Sequence, residues 1–230
     1  MSVSYQPNPP TLLRCTRCPR LVAYRQRVAR TKRRAYVDQK YWGKPVPGFG
    51  DPQARLLLLG LAPGAHGSNR TGRMFTGDAS GEFLYPALHR LGFANQAKAM
   101  HRHDGLILSD IFITAAVRCV PPQNKPTAQE VATCRHWLAH DLALPQIRCV
   151  IALGKIAHDA YLSYLKAQGH LVVKANHRFS HGAVHRLTTG PVLLDSYHVS
   201  FQNTNTGRLT TAMFDRLLVR ARELAGLPSL

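Results

Sequence analysis

Two kinds of residue in this chain have types and spacings that can do chemistry. The first is a set of cysteines. Cys15 and Cys18 form a C-x-x-C pair, and Cys119 and Cys134 follow in RCVPPQNKPTAQEVATCRHWL with fourteen residues between them. Cys149 lies in the apolar run IRCVIALG and reads as a buried core thiol. Four ligands and one core cysteine fit a four-thiolate metal site. The N-terminal stretch MSVSYQPNPPTLLRC has no basic region leading into an apolar one. A secretory leader is therefore not expected, and a disulfide framework is the weaker account. The ferredoxin pattern C-x2-C... C-x3-C-P is absent, so spacing taken alone favours zinc over an iron–sulfur cluster.

The second kind is polar and sits in three segments. In GLAPGAHGSNRTGRMFTGD, residues 60–78, the glycines and Pro63 make a tight backbone that a ligand can approach closely. Phe75 could stack on a flat heterocycle, or else pack on a sheet. Asp78 stands just before a helix that should begin with Ser80 as its cap. The positive end of that helix would keep the carboxylate ionised, able to orient or activate a water; capping is the alternative role. In the last segment His198 could donate to an acceptor atom of a ligand, and Ser200, Gln202, Asn203 and Asn205 make a polar stretch that could meet a phosphodiester backbone. Asn124, in the proline-rich segment after Cys119, could read a base edge or simply form a turn.

These residues must be held by regular elements. Apolar runs of strand length occur in RLLLLGL, ILSDIFITAAVRC, IRCVIALG and PVLLDSYH. Helical patterns cover residues 19–40, 80–91, 127–143, 155–166 and 209–226, with an extended lead-in over 1–13 and a loop over 44–53. Alternation of apolar strands with helices predicts an α/β fold built on a parallel sheet covered on both faces. Ligands in such folds bind beyond the carboxyl ends of the strands. All three polar segments follow strands, so they should converge on one edge.

Charge narrows the partner. The chain of 230 residues has 30 Lys plus Arg against 12 Asp plus Glu, a formal +18. Residues 14–40 hold ten of those cations and one acid, half of the excess. No apolar run approaches the ~18 residues a membrane span requires. A cationic, arginine-rich chain with a full apolar complement suits a polyanion, nucleic acid above all.

Taken together, GLAPGAHGSNRTGRMFTGD and HVSFQNTNTG resemble the two active-site motifs of the uracil-DNA glycosylase superfamily, and in detail its family 5. The resemblance runs over most of the chain, including the C-x-x-C, the basic helix and the RCVPPQNKP... C element. It implies one three-layer α/β/α domain over residues 1–230 around a four-stranded parallel sheet. It implies a [4Fe-4S] cluster on Cys15, Cys18, Cys119 and Cys134, against the zinc that spacing favours. Asp78, His198 and Asn124 become the implied catalytic residues. Gly60, Ala62, Gly64, Phe75, Ala115, Ser200, Gln202 and Asn203 become implied substrate-binding positions, with Phe75 stacking on the base.

The implied activity is hydrolysis of the N-glycosidic bond of uracil, and of hypoxanthine and xanthine, in double-stranded and also single-stranded DNA. A monofunctional base-excision-repair enzyme, monomeric, cytoplasmic and nucleoid-associated, is the expectation; a non-catalytic DNA-binding module is the alternative. The departures from related families matter. Family 4 has Gly-Glu where this chain has Gly60-Leu61, Asn where it has Ala115, and His-Pro-Ser where it has His198-Val199-Ser200. Family 1 has a water-activating Asp at the position of Ala62. Loss of the Asn removes a hydrogen-bonding discriminator, which should relax base selectivity.

Overall fold

The computed structural model describes residues 9–229. Four strands of five residues form the centre of the sheet: β2 (Leu56–Gly60), β3 (Ile111–Ala115), β4 (Cys149–Leu153) and β6 (Val192–Ser196). They run parallel in the order β3-β2-β4-β6. Two short antiparallel strands flank them, β1 (Phe49–Gly50) on β3 and β5 (Val184–His185) on β6. The sheet is therefore six-stranded and mixed, where four parallel strands are predicted. The added pairs are two residues long, too short to leave any periodicity in the sequence.

Alternation along the central strands fixes two cores. Leu56 and Leu58 point to one face with Ile113 and Ile151; there they pack beneath α4 (Ala79–Arg90) and α8 (Thr211–Leu224). Leu57 and Leu59 point to the other with Val150 and Ala152, beneath α5 (Ala128–Leu142) and α6 (Lys155–Ala167). All four leucines are fully buried, as a strand covered on both faces requires. The result is three layers, α/β/α, as predicted. No helix among the described residues is long and apolar enough to cross a membrane.

The remaining elements are short or peripheral. A helical turn, α1 (Pro10–Leu13), replaces part of the predicted extended lead-in, whose residues 1–8 lie outside the described residues. The basic helix α2 (Pro19–Thr31) stops well before residue 40, because Lys32 adopts φ 52° and breaks the helical ladder. α3 (Ser68–Thr71) is a single turn within the 60–78 segment, and α7 (Phe201–Asn205) is a turn capped by the Ser200 side chain. The basic helix is anchored rather than free. Arg20 forks onto Glu130 at 2.8 and 2.7 Å and also donates to the Lys125 carbonyl at 3.2 Å. Glu130 in turn closes a capping box with Thr127 at the start of α5.

Asp195 fastens the sheet edge next to the last segment. Fully buried on β6, it accepts from His158 Nδ1 at 2.8 Å and His185 Nε2 at 2.9 Å. These bonds tie α6 and β5 to the strand that ends just before His198.

Candidate active site

The ends of β2, β3 and β6 meet, as the strand-end rule predicts, around a cleft of ≈ 630 Å³. That volume lies within the ~300–1,000 Å³ usual for small-molecule sites. Ala62, Gly64, Phe75 and Asp78 line it from the segment after β2, Ala115 and Asn124 from β3 and its loop. His198, Ser200 and Gln202 enter from the segment after β6. Nine of the eleven implied catalytic and substrate-binding positions are thus brought to one cleft.

Gly60 and Asn203 line nothing there and act from behind. A β-carbon on Gly60 would come 2.8 Å from the Phe75 ring, so this glycine makes room for the aromatic. Asn203 Nδ2 donates to the His198 carbonyl at 2.8 Å and holds the backbone of that residue. Each thus supports a residue that lines the cleft rather than lining it itself.

Phe75 is held in an uncommon conformation. Its φ of 51° lies in the left-handed region, which costs a non-glycine residue free energy. Its ring centroid stands 6.3 Å from that of His198, tilted by 40°. The two rings therefore flank one space. Arg73, two residues earlier, is buried and forks onto Asp104 at 2.7 Å through each nitrogen. Burial alone would raise the Asp104 pKa. The Arg73 hydrogen bonds and the backbone N–H groups of Met100, Leu106 and His101 outweigh it and hold the carboxyl well below the usual range. This pair and the Arg73–Thr76 bond at 2.9 Å set the turn that presents Phe75.

Asp78, not Ser80, caps α4, accepting from the Gly81 N–H at 3.2 Å. Its carboxylate lies against the glycine backbone of the first segment. A β-carbon would come 2.9 Å from Asp78 Oδ2 at Gly64 and 1.8 Å at Gly67. The expectation that the helix end governs its ionisation is corrected. Burial is the larger influence and raises the pKa, while hydrogen bonds from Gly81 and Ser80 oppose it. His198 is shifted further. Burial pushes its pKa down to about 4, so the imidazole is neutral at neutral pH.

Asn124 occupies an exposed position with φ 56°, next to Gln123 at φ 55°. Two consecutive left-handed residues turn the loop so that Asn124 borders the cleft. Further lining residues escape the sequence reading, His66, Ser68 and Phe201 among them. His66 borders the cleft and pairs through Nδ1 with the Tyr41 hydroxyl at 2.9 Å. Burial, then Arg33 and Arg70, lower its pKa. Ser68 lies in the same glycine-rich segment, and Phe201, 64% exposed, stands on the rim at the start of α7. His66 lies in plain view two residues after Gly64; Tyr41 has no local signal that would pair it with a motif 25 residues away.

The four implied metal ligands also come together. Cys15, Cys18, Cys119 and Cys134 line one apolar cavity between α2, α5 and the loop after β3. Cys18, Cys119 and Cys134 pack with Ala62, so this element abuts the wall of the cleft. Burial is the leading influence on three of the thiols, raising Cys18, Cys119 and, to about 12, Cys134. Arg25, buried on the basic helix with Leu21 and Val28, donates to Cys119 Sγ at 2.9 Å and to the Cys15 carbonyl at 3.2 Å. Arg25 Nε, Arg118 Nε and Nη1, and Trp137 Nε1 are buried N–H groups without a partner around these sulfurs. Buried donors are satisfied in folded proteins, so this set fits an anionic group held between the four cysteines.

A family model for the uracil DNA glycosylase superfamily matches residues 47–222, which contain the whole cleft. The chain belongs to the uracil DNA glycosylase superfamily. Its likeness to individual superfamily members is extensive. It is 53% identical over 218 residues to the Type-5 uracil-DNA glycosylase of Thermus thermophilus, covering 94% of this chain and 96% of that protein. It is 46% identical over 215 residues to the Type-5 uracil-DNA glycosylase of Pyrobaculum aerophilum, covering 94% and 91%. The Type-4 uracil-DNA glycosylase of the same organism is 35% identical over 127 residues, 55% of this chain and 57% of that protein. Superfamily membership and the family-5 resemblance of the two motifs thus agree.

Proposed function

We propose that this protein is a DNA-repair glycosylase that excises uracil, and also hypoxanthine and xanthine, from DNA by hydrolysing the N-glycosidic bond. The observation that carries the reading is the union in one cleft of an ionisable carboxylate, a neutral, half-buried imidazole and an aromatic ring, within a chain so similar to Type-5 uracil-DNA glycosylases. The chain as a whole acts as one catalytic domain. It works as a monomer on chromosomal DNA in the cytoplasm of a prokaryotic cell.

The chemistry follows from the groups. A base in a duplex must be extruded before its glycosidic bond is accessible. The exposed arginines of α2 grip phosphates, which supplies most of the non-specific affinity. Phe201 on the rim presses into the gap the base leaves. Inside, the base stacks on Phe75, and Asn124 and His198 meet its polar edges. Bond cleavage leaves a cationic sugar and an anionic base. Neutral His198 donates a hydrogen bond to the anion, the logic of an oxyanion hole. Ionised Asp78 stabilises the sugar cation and directs water to the anomeric carbon. Ala115, where a discriminating amide is absent, leaves room for purines.

Cys15, Cys18, Cys119 and Cys134 would hold a [4Fe-4S] cluster, which supplies structure rather than chemistry at the base. The ring of buried N–H donors supports this reading, since hydrogen bonds to cluster sulfur are a usual part of such sites. The cluster ties α2 and its positive charge to the wall of the cleft. A brown protein with iron and sulfide, losing both in Cys119→Ser, is expected; a colourless protein holding zinc contradicts it.

The reaction is tested with oligonucleotides carrying uracil, hypoxanthine or xanthine, each in single and double strands. Strand scission at the lesion only after alkali is expected, because excision alone leaves an abasic site. Lys125 is the one lysine in the three strand-end segments, and it is exposed, so no covalent imine with DNA is expected. Binding without any alkali-labile product would support the non-catalytic alternative instead. A borohydride-trapped complex would contradict the monofunctional mode.

A further inference from the structure

A second groove, ≈ 620 Å³, lies beside the catalytic cleft. The proposed reaction assigns it no role. Its floor is Trp42, and Lys40, Lys44, Arg70, His101 and Arg102 surround it with no acid among the lining residues. The partition between groove and cleft is the Tyr41–His66 hydrogen bond, since Tyr41 lines the groove and His66 the cleft.

The indole is fixed in place. Its Nε1–H donates to the Pro45 carbonyl at 3.0 Å, and the Trp42 backbone N–H to the Arg70 carbonyl at 2.9 Å. Gly72, at φ 78°, packs so closely on the ring that a β-carbon there would come 2.9 Å from it. The Arg102 guanidinium lies 4.5 Å from an indole ring centroid and Lys44 Nζ 5.6 Å. Lys40, Lys44, His101 and Arg102 are all exposed. A rigid aromatic floor stacked with a guanidinium and edged by exposed cations is the arrangement that takes an unstacked base and its phosphates.

We infer that this groove binds one unstacked nucleotide of the substrate strand, flanking the extruded lesion. Its base stacks on the Trp42–Arg102 platform, and its phosphates lie between Lys40 and Lys44. The inference rests on the glycosylase reading for the identity of the strand. Stacking is indifferent to sequence, so the site adds affinity without choosing a flanking base. It also gives the enzyme a means of holding single-stranded DNA, where no second strand keeps the neighbour stacked.

The test uses the full-length holoprotein and single-stranded uracil oligonucleotides, with wild type, Trp42→Ala, Trp42→Phe and Arg102→Gln. Loss of a base–aromatic stack should raise KM about tenfold in Trp42→Ala, with kcat held within about twofold. Trp42→Phe should restore most of the affinity. Arg102→Gln, an exposed change that leaves the fold intact, should weaken binding and reduce the salt slope by about one. A 2-aminopurine placed beside the uracil should be quenched on binding wild type and not on binding Trp42→Ala. Wild-type KM in both Trp42→Ala and Arg102→Gln, or a loss of kcat alone, overturns the inference while wild-type excision leaves the glycosylase reading intact. Quenching that depends on Trp42 in a protein that excises nothing would support the groove and sink the reaction.

Discussion

The Asp78 carboxylate rests on the backbone of Gly67, so closely that a β-carbon there would come 1.8 Å from Oδ2. A side chain at residue 67 and the observed position of Asp78 are mutually exclusive. Gly67→Ala should therefore displace the carboxylate while leaving the sheet and both cores unchanged. A misplacement of about 1 Å in a reacting group can cost on the order of 100-fold in rate. Single-turnover excision should fall by about that factor, with the circular dichroism spectrum and DNA affinity retained.

Burial sets the pH response. The His198 pKa is lowered from 6.5 to about 4, so this group does not titrate between pH 6 and 8. Asp78 is raised above its ordinary 3.8. The acid limb of kcat/KM should then lie above the usual aspartate position, as Asp78 takes up its proton, and no limb should appear near pH 6.5. Stability responds separately. Below pH 6.5 the unfolded chain protonates His198 more readily than the folded one, so His198 destabilises the fold progressively between pH 6.5 and about 4. His198→Gln should flatten that part of a plot of Tm against pH.

Asp78 should also reveal a conflict between activity and stability. Its raised pKa means that the folded state disfavours the anion relative to the unfolded chain. The favourable linkage exists below pH 3.8 and is lost as pH rises through the folded value, so at neutral pH the charge destabilises. Asn caps helices about as well as Asp. Asp78→Asn should accordingly raise Tm at pH 7 while slowing excision about 100–1000-fold; a fall in Tm would show that the carboxylate is structural.

Ala115 is buried at the end of β3, opposite Gly60 in the sheet register, and lines the cleft. Ala115→Asn fills space that the larger purine needs with an amide that a pyrimidine can still reach and pair with. Relative kcat/KM for uracil over hypoxanthine should rise by at least about tenfold, since unpaired polar groups in a binding site discriminate strongly. An unchanged ratio would remove Ala115 from the account of substrate range.

The four central strands were legible because each is a compact apolar run, and the strand-end rule then placed Asp78, Asn124 and His198 together. Contacts across loops were not. The Tyr41–His66 pair joins two irregular segments 25 residues apart, with β1 and β2 between them, and no periodicity reports it. Arg25 looks like any other arginine of α2, yet it alone on that helix turns inward to the Cys119 sulfur. The direction of the Asp78 shift was misread for a related reason. A helix terminus is visible in a sequence, whereas the desolvation that outweighs it is a property of the assembled cleft.

In the proposed reaction Asp78 and His198 perform the chemistry from one cleft. Single-turnover excision of uracil by wild type, Asp78→Asn and His198→Ala, with iron content and DNA affinity measured on the same samples, tests it most directly. Losses of about 100–1000-fold in each variant, with cluster and affinity retained, are the predicted result. Near-wild-type rates in both variants would contradict it.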